Sequence, residues 1–243
     1  MRVSKRNVLL FGFALLLLLL AATLPLKLAI GWLGLDDRGL SARAATGSLW
    51  SGRLEDARFG PVPLGSPKVS LQVIPLLIGR ARLDFHDAGA NAGLRQGGLS
   101  LSWHEFAVDD VTARLDMAAL VPIPAPQATL SLTDVSIRFR NGRCETAEGQ
   151  VSTDFLARLS GLGGWQGPTL TGSARCDGGE ALLPLAGTAD GIPTALEIRI
   201  DGNGRRKVML EIRNPPAELA SSLTARGFVQ SGDSYRLTAE GSL

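Results

Sequence analysis

Two hydrophobic patterns divide the chain. From Val8 to Leu24 the residues VLLFGFALLLLLLAATL carry no charge, and the leucines from Leu15 to Leu20 leave no polar face for a globular surface. With its flanks, Asn7 to Leu26, the run reaches roughly the 20 apolar residues that a helix rising about 1.5 Å per residue needs to cross a bilayer core. Beyond it the period changes to two. Val69, Leu71 and Val73 alternate with Ser70 and Gln72, Leu83 and Phe85 with Arg82 and Asp84, and Leu99 and Leu101 with Ser100 and Ser102. Each alternation predicts a half-buried strand.

Leu130 and Leu132 continue the series, but at Asp134 the phase slips by one, and Val135, Ile137 and Phe139 become the apolar positions. A β-bulge near Thr133–Asp134 reconciles the two halves. Leu196, Ile198 and Ile200 turn through Gly202-Asn203-Gly204 and return as Val208, Leu210 and Ile212, a hairpin. Tyr235, Leu237 and Ala239 suggest a last strand, and 109–120 fits strand or helix. Short helices are expected over 154–162 and after Asn214-Pro215-Pro216, with Asn214 as cap and Gly227 as stop. Leu26 to Leu33 reads as the apolar helix running on and stopping near Gly34, with Lys27 and Trp32 at the membrane interface. The proline-rich stretches 60–65 and 122–126 are turns, edges or connections. The fold class expected is mainly β: one N-terminal transmembrane helix, then an antiparallel β-rich domain with short helices, one face of the sheet dry and one wet.

Charge orients this plan. Arg2, Lys5 and Arg6 precede the apolar run, which keeps the N-terminus cytoplasmic and sends the rest across the membrane. A cleaved signal peptide is the rival reading; the run's length and the absence of a clean A-x-A-like site favour a retained anchor. The expected division is a cytoplasmic tail (1–7), an anchor (8–26), a linker (27–45) and an exported domain (46–243), with an internal boundary near 122–127. The 25 basic and 23 acidic residues nearly cancel, so the footprint of a nucleic-acid binder is missing. Glycine is abundant at 29 residues and aromatics make up 5%, which suits short aliphatic strands joined by turns. Across the membrane disulfides persist, so Cys144 and Cys176 are expected to pair. Such a bridge contributes roughly 3–4 kcal/mol in the chain-entropy treatment.

No reaction chemistry assembles from these residues. His86 and His104 sit in different strand neighbourhoods and read as surface or edge residues. The pairs Asp36-Asp37 and Asp109-Asp110 point their carboxylates apart and read as solvated turn residues. The glycine-rich stretch 161–167 lacks the Gly-Lys-Ser/Thr ending of a phosphate loop. Arg205-Arg206-Lys207 reads as a solvated charge run in the hairpin turn. The cysteines lack the C-x-x-C spacing of a redox pair and the histidine partners of a zinc site. The expectation is a protein without catalytic residue, cofactor or metal.

One pattern is more specific. Gly47, Leu49, Trp50 and Gly52 lie in the stretch TGSLWSGR, and Pro75-Leu76-Leu77-Ile78-Gly79 follows. Cys144 precedes Ala147 and Gly149, and Leu170-Thr171-Gly172 precedes Cys176 and Gly179. In order and spacing these features resemble protein N of the bacterial type II (general) secretion system; Leu71 departs from the aromatic expected before Pro75. The resemblance implies a single-pass inner-membrane protein with a periplasmic domain, an accessory component of the machine that exports folded periplasmic proteins. Its implied partners are the inner-membrane platform and the outer-membrane secretin. It also suggests kinship with AsmA-type proteins, whose curved sheets form apolar grooves, and hence the alternative of a lipid-binding or lipid-transfer protein. Gly47, Trp50 and Gly52 are the motif residues that could meet a partner, although a tryptophan beside glycines in a strand more often packs into a core.

Overall fold

The computed structural model describes residues 23–32, 40–59, 62–87, 93–116, 128–158 and 164–242. Most of the apolar run, Arg2, Lys5, Arg6, Gly34, Asp36-Asp37 and the proline stretch 122–126 lie outside the described residues. Among the described residues no helix is long and apolar enough to cross a membrane.

The alternating segments form strands. The N-terminal half contains β1 (Leu40–Ser41), β2 (Ala44–Ser48), β3 (Ser51–Glu55), β4 (Ala57–Phe59), β5 (Val62–Gly65), β6 (Lys68–Leu71), β7 (Ala81–His86), β8 (Leu94–Leu101) and β9 (Glu105–Asp116). The C-terminal half adds β10 (Thr129–Arg140), β11 (Arg143–Thr153), β12 (Leu170–Ser173), β13 (Arg175–Asp177), β14 (Glu180–Ala189), β15 (Ile192–Ile200), β16 (Arg205–Arg213), β17 (Val229–Ser231) and β18 (Ser234–Ser242). Among the described residues the helices are α1 (Leu26–Trp32), α2 (Val73–Leu77), α3 (Phe155–Arg158) and α4 (Ala217–Ala225). Among the described residues fifteen strands make one antiparallel sheet in the order β17-β18-β16-β15-β14-β12-β11-β10-β9-β8-β7-β6-β3-β2, with β13 paired to β14 off that path. Sequence neighbours are nearly always sheet neighbours, because each hairpin closes a short loop at low entropic cost. The excursion β1-β4-β5 forms a separate small sheet in which β5, carrying Pro63, is an edge.

The phase slip at Asp134 is a bulge, and it is shared by neighbouring strands. Pairing of β10 shifts between Thr133 and Ser136 on one side and between Leu132 and Val135 on the other. Asp110 on β9 and Asp134 on β10 both adopt left-handed backbone, with φ of 50° and 51°. The two are tied reciprocally: Ser136 Oγ accepts from the Asp110 amide at 2.9 Å and donates to Asp110 Oδ1, while Thr112 Oγ1 accepts from the Asp134 amide and donates to Asp134 Oδ1 at 3.1 Å. On β11, Gly149 (φ 107°) continues the line, since a Cβ there would stand 2.5 Å from Asp134 O and Val135 Cα. Ala174, between β12 and β13, donates its amide to Gly149 O at 3.0 Å. A crease therefore crosses the sheet from β9 to the β12–β13 break.

The bulges keep the apolar residues on one face on both sides of the crease. That face carries two buried clusters. One gathers Leu130, Val135, Val151, Leu170, Leu185, Leu196 and Ile212 beneath Leu156 of α3, Trp165, and Leu219 and Leu223 of α4. The other gathers Leu54, Val69, Leu71, Leu83, Phe85, Leu94 and Ala113, with Leu26 of α1. Leu115 and Leu132 pack against both.

Four expectations change. Residues 109–116 are strand, not helix, because they pair along β8 and β10. Val73 does not extend β6; Pro75 has no amide to give a ladder but is tolerated in a first helical turn, and Val73 starts α2. Asn214 does not cap α4: its φ is 48°, its amide donates to Asp233 O, and the extended Pro216 occupies the cap position. The apolar helix does not run on unbroken to Gly34, since the helix α1 begins afresh at Leu26 after a β-bridge between Pro25 and Ser48.

Candidate interaction site

The turns of one sheet end form a continuous rim. It begins where the apolar run reaches the domain. The Leu49 amide donates to Leu24 O at 2.9 Å, and the Leu71 amide to Leu49 O at 3.1 Å, so the incoming chain, the β2–β3 turn and the end of β6 lie side by side. Gly47 pairs with Gly52, and a Cβ on Gly52 would meet Leu26 Cδ2 at 2.6 Å. Glycine at 52 thus lets Leu26 reach the core, where it is 2% exposed. Leu49 is buried, and Trp50 is half-buried against the same cluster. The structure places the glycine-tryptophan motif in this joint.

Farther along the rim, apolar side chains face solvent. In and after α2 these are Val73, Ile74, Leu76 and Ile78, the last of these, within the Pro75–Gly79 motif, being 78% exposed. Ala81, just beyond, pairs with Leu101, and the β8–β9 turn that follows carries Trp103 at 94% exposure. Its neighbour His104 is exposed and accepts the Asn141 amide through its carbonyl, which joins the β10–β11 turn to the rim. His86 ends β7 and is exposed. Lys27 is exposed on α1, and Trp32 ends that helix.

Beside the rim, on the sheet face opposite the apolar clusters, β9 carries Glu105, Ala107 and Asp109 in one period-2 phase, all buried. Arg80 lies 3.0 Å and Arg138 3.2 Å from Glu105 Oε1, and Arg140 3.4 Å from Oε2. Arg82 reaches Asp84 at 2.9 Å and Asp109 at 3.7 Å, and Ser100 donates to Asp109 at 2.6 Å. The Asp84 hydrogen bond, working against partial burial and joined by the charges of Asp109 and Asp110, holds the Arg82 guanidinium above its ordinary pKa. A cleft of about 700 Å³ opens over this network, lined by Arg82, Asp109, Ser136, Arg138, Thr146 and Glu148. The guanidiniums of Arg80, Arg82, Arg138 and Arg140 face the carboxylates of Asp84, Glu105, Asp109 and Glu145, and Asp110 and Glu148 add acidic lining to the cleft. The ion pairs hold β7 to β10 in register. Asp109 is accordingly no solvated turn residue.

Cys144 and Cys176 form a disulfide with Cα atoms 5.6 Å apart. It joins β11 to β13 beyond the crease, where the ladder between β11 and β12 has ended at Gln150–Ser173. The basic run is not in the hairpin turn but opens β16, where Arg205 pairs with Asp201 at 2.6 Å and Lys207 with Glu240 at 3.4 Å, while Arg206 between them is half-buried with its Nη1 lacking a hydrogen-bond partner among the described residues. The stretch 164–167 packs inward: Trp165 is buried, and Gly167 lies against Leu156.

Sequence reasoning missed Ile74, Trp103 and Glu105. Trp103 and Glu105 sit at the join of two alternating stretches, where a period-2 pattern assigns no face; Ile74 is read as strand until Pro75 is allowed to end β6.

The profile of the type II secretion system protein N family matches residues 38–238. The chain belongs to that family. A type II secretion system protein N from Vibrio cholerae serotype O1 is 27% identical over 172 residues, covering 68% of this chain and 67% of that protein. No solved structure matches the chain. The family match takes in the rim, the charged cluster, the crease and the disulfide, and begins just after α1.

Proposed function

We propose that this protein is a non-enzymatic inner-membrane component of the type II secretion machinery, working by holding binding surfaces in place in the periplasm. The observation that carries the reading is the family match over nearly the whole β-domain, preceded by an apolar run of bilayer-spanning length. Arg2, Lys5 and Arg6 set the N-terminus in the cytoplasm by the positive-inside rule, and Lys27 and Trp32 sit just past the run at the far interface. A disulfide between Cys144 and Cys176 suits an oxidising compartment on that far side. The partners are other secretion components, the inner-membrane platform or the secretin. Their contacts fall on the outer strand β2 and its turn, where Gly47, Trp50 and Gly52 lie.

A photo-crosslinking amino acid at the exposed Thr46 of β2, in cells with the secretion system intact, is expected to capture one of those components. Adducts free of any secretion component from Thr46, and equally from the exposed Gln230 of β17 at the other end of the sheet, would overturn the partner reading. The lipid-carrying alternative needs the apolar face to open. Because α4 and Trp165 lie over one cluster and α1 over the other, we place it second.

A further inference from the structure

The rim leaves its largest apolar side chains in water at the end of the sheet where the chain arrives. Ile74 and Ile78 are 79% and 78% exposed, Trp103 94%, and Val73, Leu76 and Phe106 add to the same border. Isolated exposed apolar residues need no explanation, but several gathered along one border mark a contact surface. Leu24 and Pro25 are fixed to this border by the Leu49 amide and the Ser48 bridge. No slack separates the apolar run from the domain. At about 4.8 Å per strand, the path from β2 to the β8–β9 turn is on the order of 20 Å.

We propose that this rim is seated on the periplasmic leaflet of the membrane that the apolar run crosses, with Ile74, Ile78 and Trp103 dipping into the headgroup–acyl boundary; this rests on the anchored reading above. The occupant follows from the tether. A run that ends at Leu24 and is bonded to the rim at Leu24 and Pro25 holds that border against the bilayer surface, whereas the β14–β15 turn at Asp190 points from the opposite end. Tryptophan is enriched at such boundaries because its ring is apolar and its N–H is polar. Leu28 (62% exposed) and the exposed Lys27 extend the border with an apolar side chain and a cation suited to lipid phosphate. The β-domain is thereby given a fixed tilt, and β2 a fixed height, relative to the membrane.

The test uses the full chain with a solvatochromic amino acid at position 78, 103 or 190, reconstituted into nanodiscs of phosphatidylethanolamine and phosphatidylglycerol with brominated acyl chains. Probes at 78 and 103 are expected to shift to the blue and lose most of their emission to bromine quenching, and the probe at 190 to do neither. Unquenched, red-emitting probes at 78 and 103 in a chain that resists alkaline carbonate extraction would overturn the seating and leave the anchor standing. A chain extracted by carbonate would overturn the anchor itself. Probes at 78 and 103 that stay wet in nanodiscs but crosslink to a protein in native membranes would assign the rim to a protein partner and overturn the lipid assignment.

Discussion

Glu211 shows how a single carboxylate is set by its neighbours. It lies buried on β16, beside Arg236 at 3.2 Å, Arg213 at 3.5 Å and Ser234. Burial pushes its pKa up, but the hydrogen bonds from Arg213, Arg236 and Ser234 together outweigh it, and the net shift is downward. The folded protein therefore holds this carboxylate ionised where the unfolded chain takes up a proton. Its contribution to stability is complete above the ordinary glutamate value of 4.5 and is lost as pH falls through the lower folded value. Chemical denaturation of the full chain in detergent at a series of pH values should show a loss of stability below that point. Glu211→Gln should flatten this acid limb; an unchanged slope would remove Glu211 from the account. None of this was legible in the sequence, where Glu211 is simply the polar member of an alternating strand; its depressed pKa depends on Arg236 and Ser234, which lie on another strand.

At the scale of elements, the crease is the device that matters. The slip at Asp134 was readable because apolar positions changed phase while polar ones did not vanish. That the bulge propagates through Asp110 and Gly149 was not readable, since it depends on which strands are neighbours and in what register. Gly149 combines both constraints: with φ of 107° and the Val135 backbone 2.5 Å from where a β-carbon would stand, any side chain must displace β10. Gly149→Val is expected to lower stability by about 2–4 kcal/mol, through backbone strain and steric conflict together. Urea unfolding followed by circular dichroism measures it, and a loss no larger than that of Gly142→Val, which shares the left-handed backbone (φ 75°) but has nothing within 4 Å of its Cβ, would show that the crease is not rigid. The disulfide closes the sheet on the far side of this crease, where hydrogen bonding between β11 and β13 is sparse.

At the scale of the whole molecule, a long meandering sheet with two linked apolar clusters, and the small β1-β4-β5 sheet beside it in the chain, are joined to the apolar run at Leu24–Pro25. Topology is the prediction that belongs here. A phosphatase active only in the periplasm, fused after Leu243, should be active, and the mature protein should keep its N-terminal run; cytoplasmic activity alone would reverse the orientation. The sequence by itself determined the period of each strand, the bulge, the hairpin at Gly202–Gly204, the pairing of two cysteines and the family, because these depend on local alternation, turn residues and motif order. Only the tertiary structure decided that Asp109 and Glu105 are buried among arginines, and that Ile74, Ile78 and Trp103 share a border with the end of the apolar run. Those facts depend on strand register, which sets residues far apart in the chain side by side. The stretch Val8–Leu24 and the motif around Trp50, separate signals along the sequence, meet at that border, where the Leu49 amide donates to Leu24 O and Pro25 bridges to Ser48.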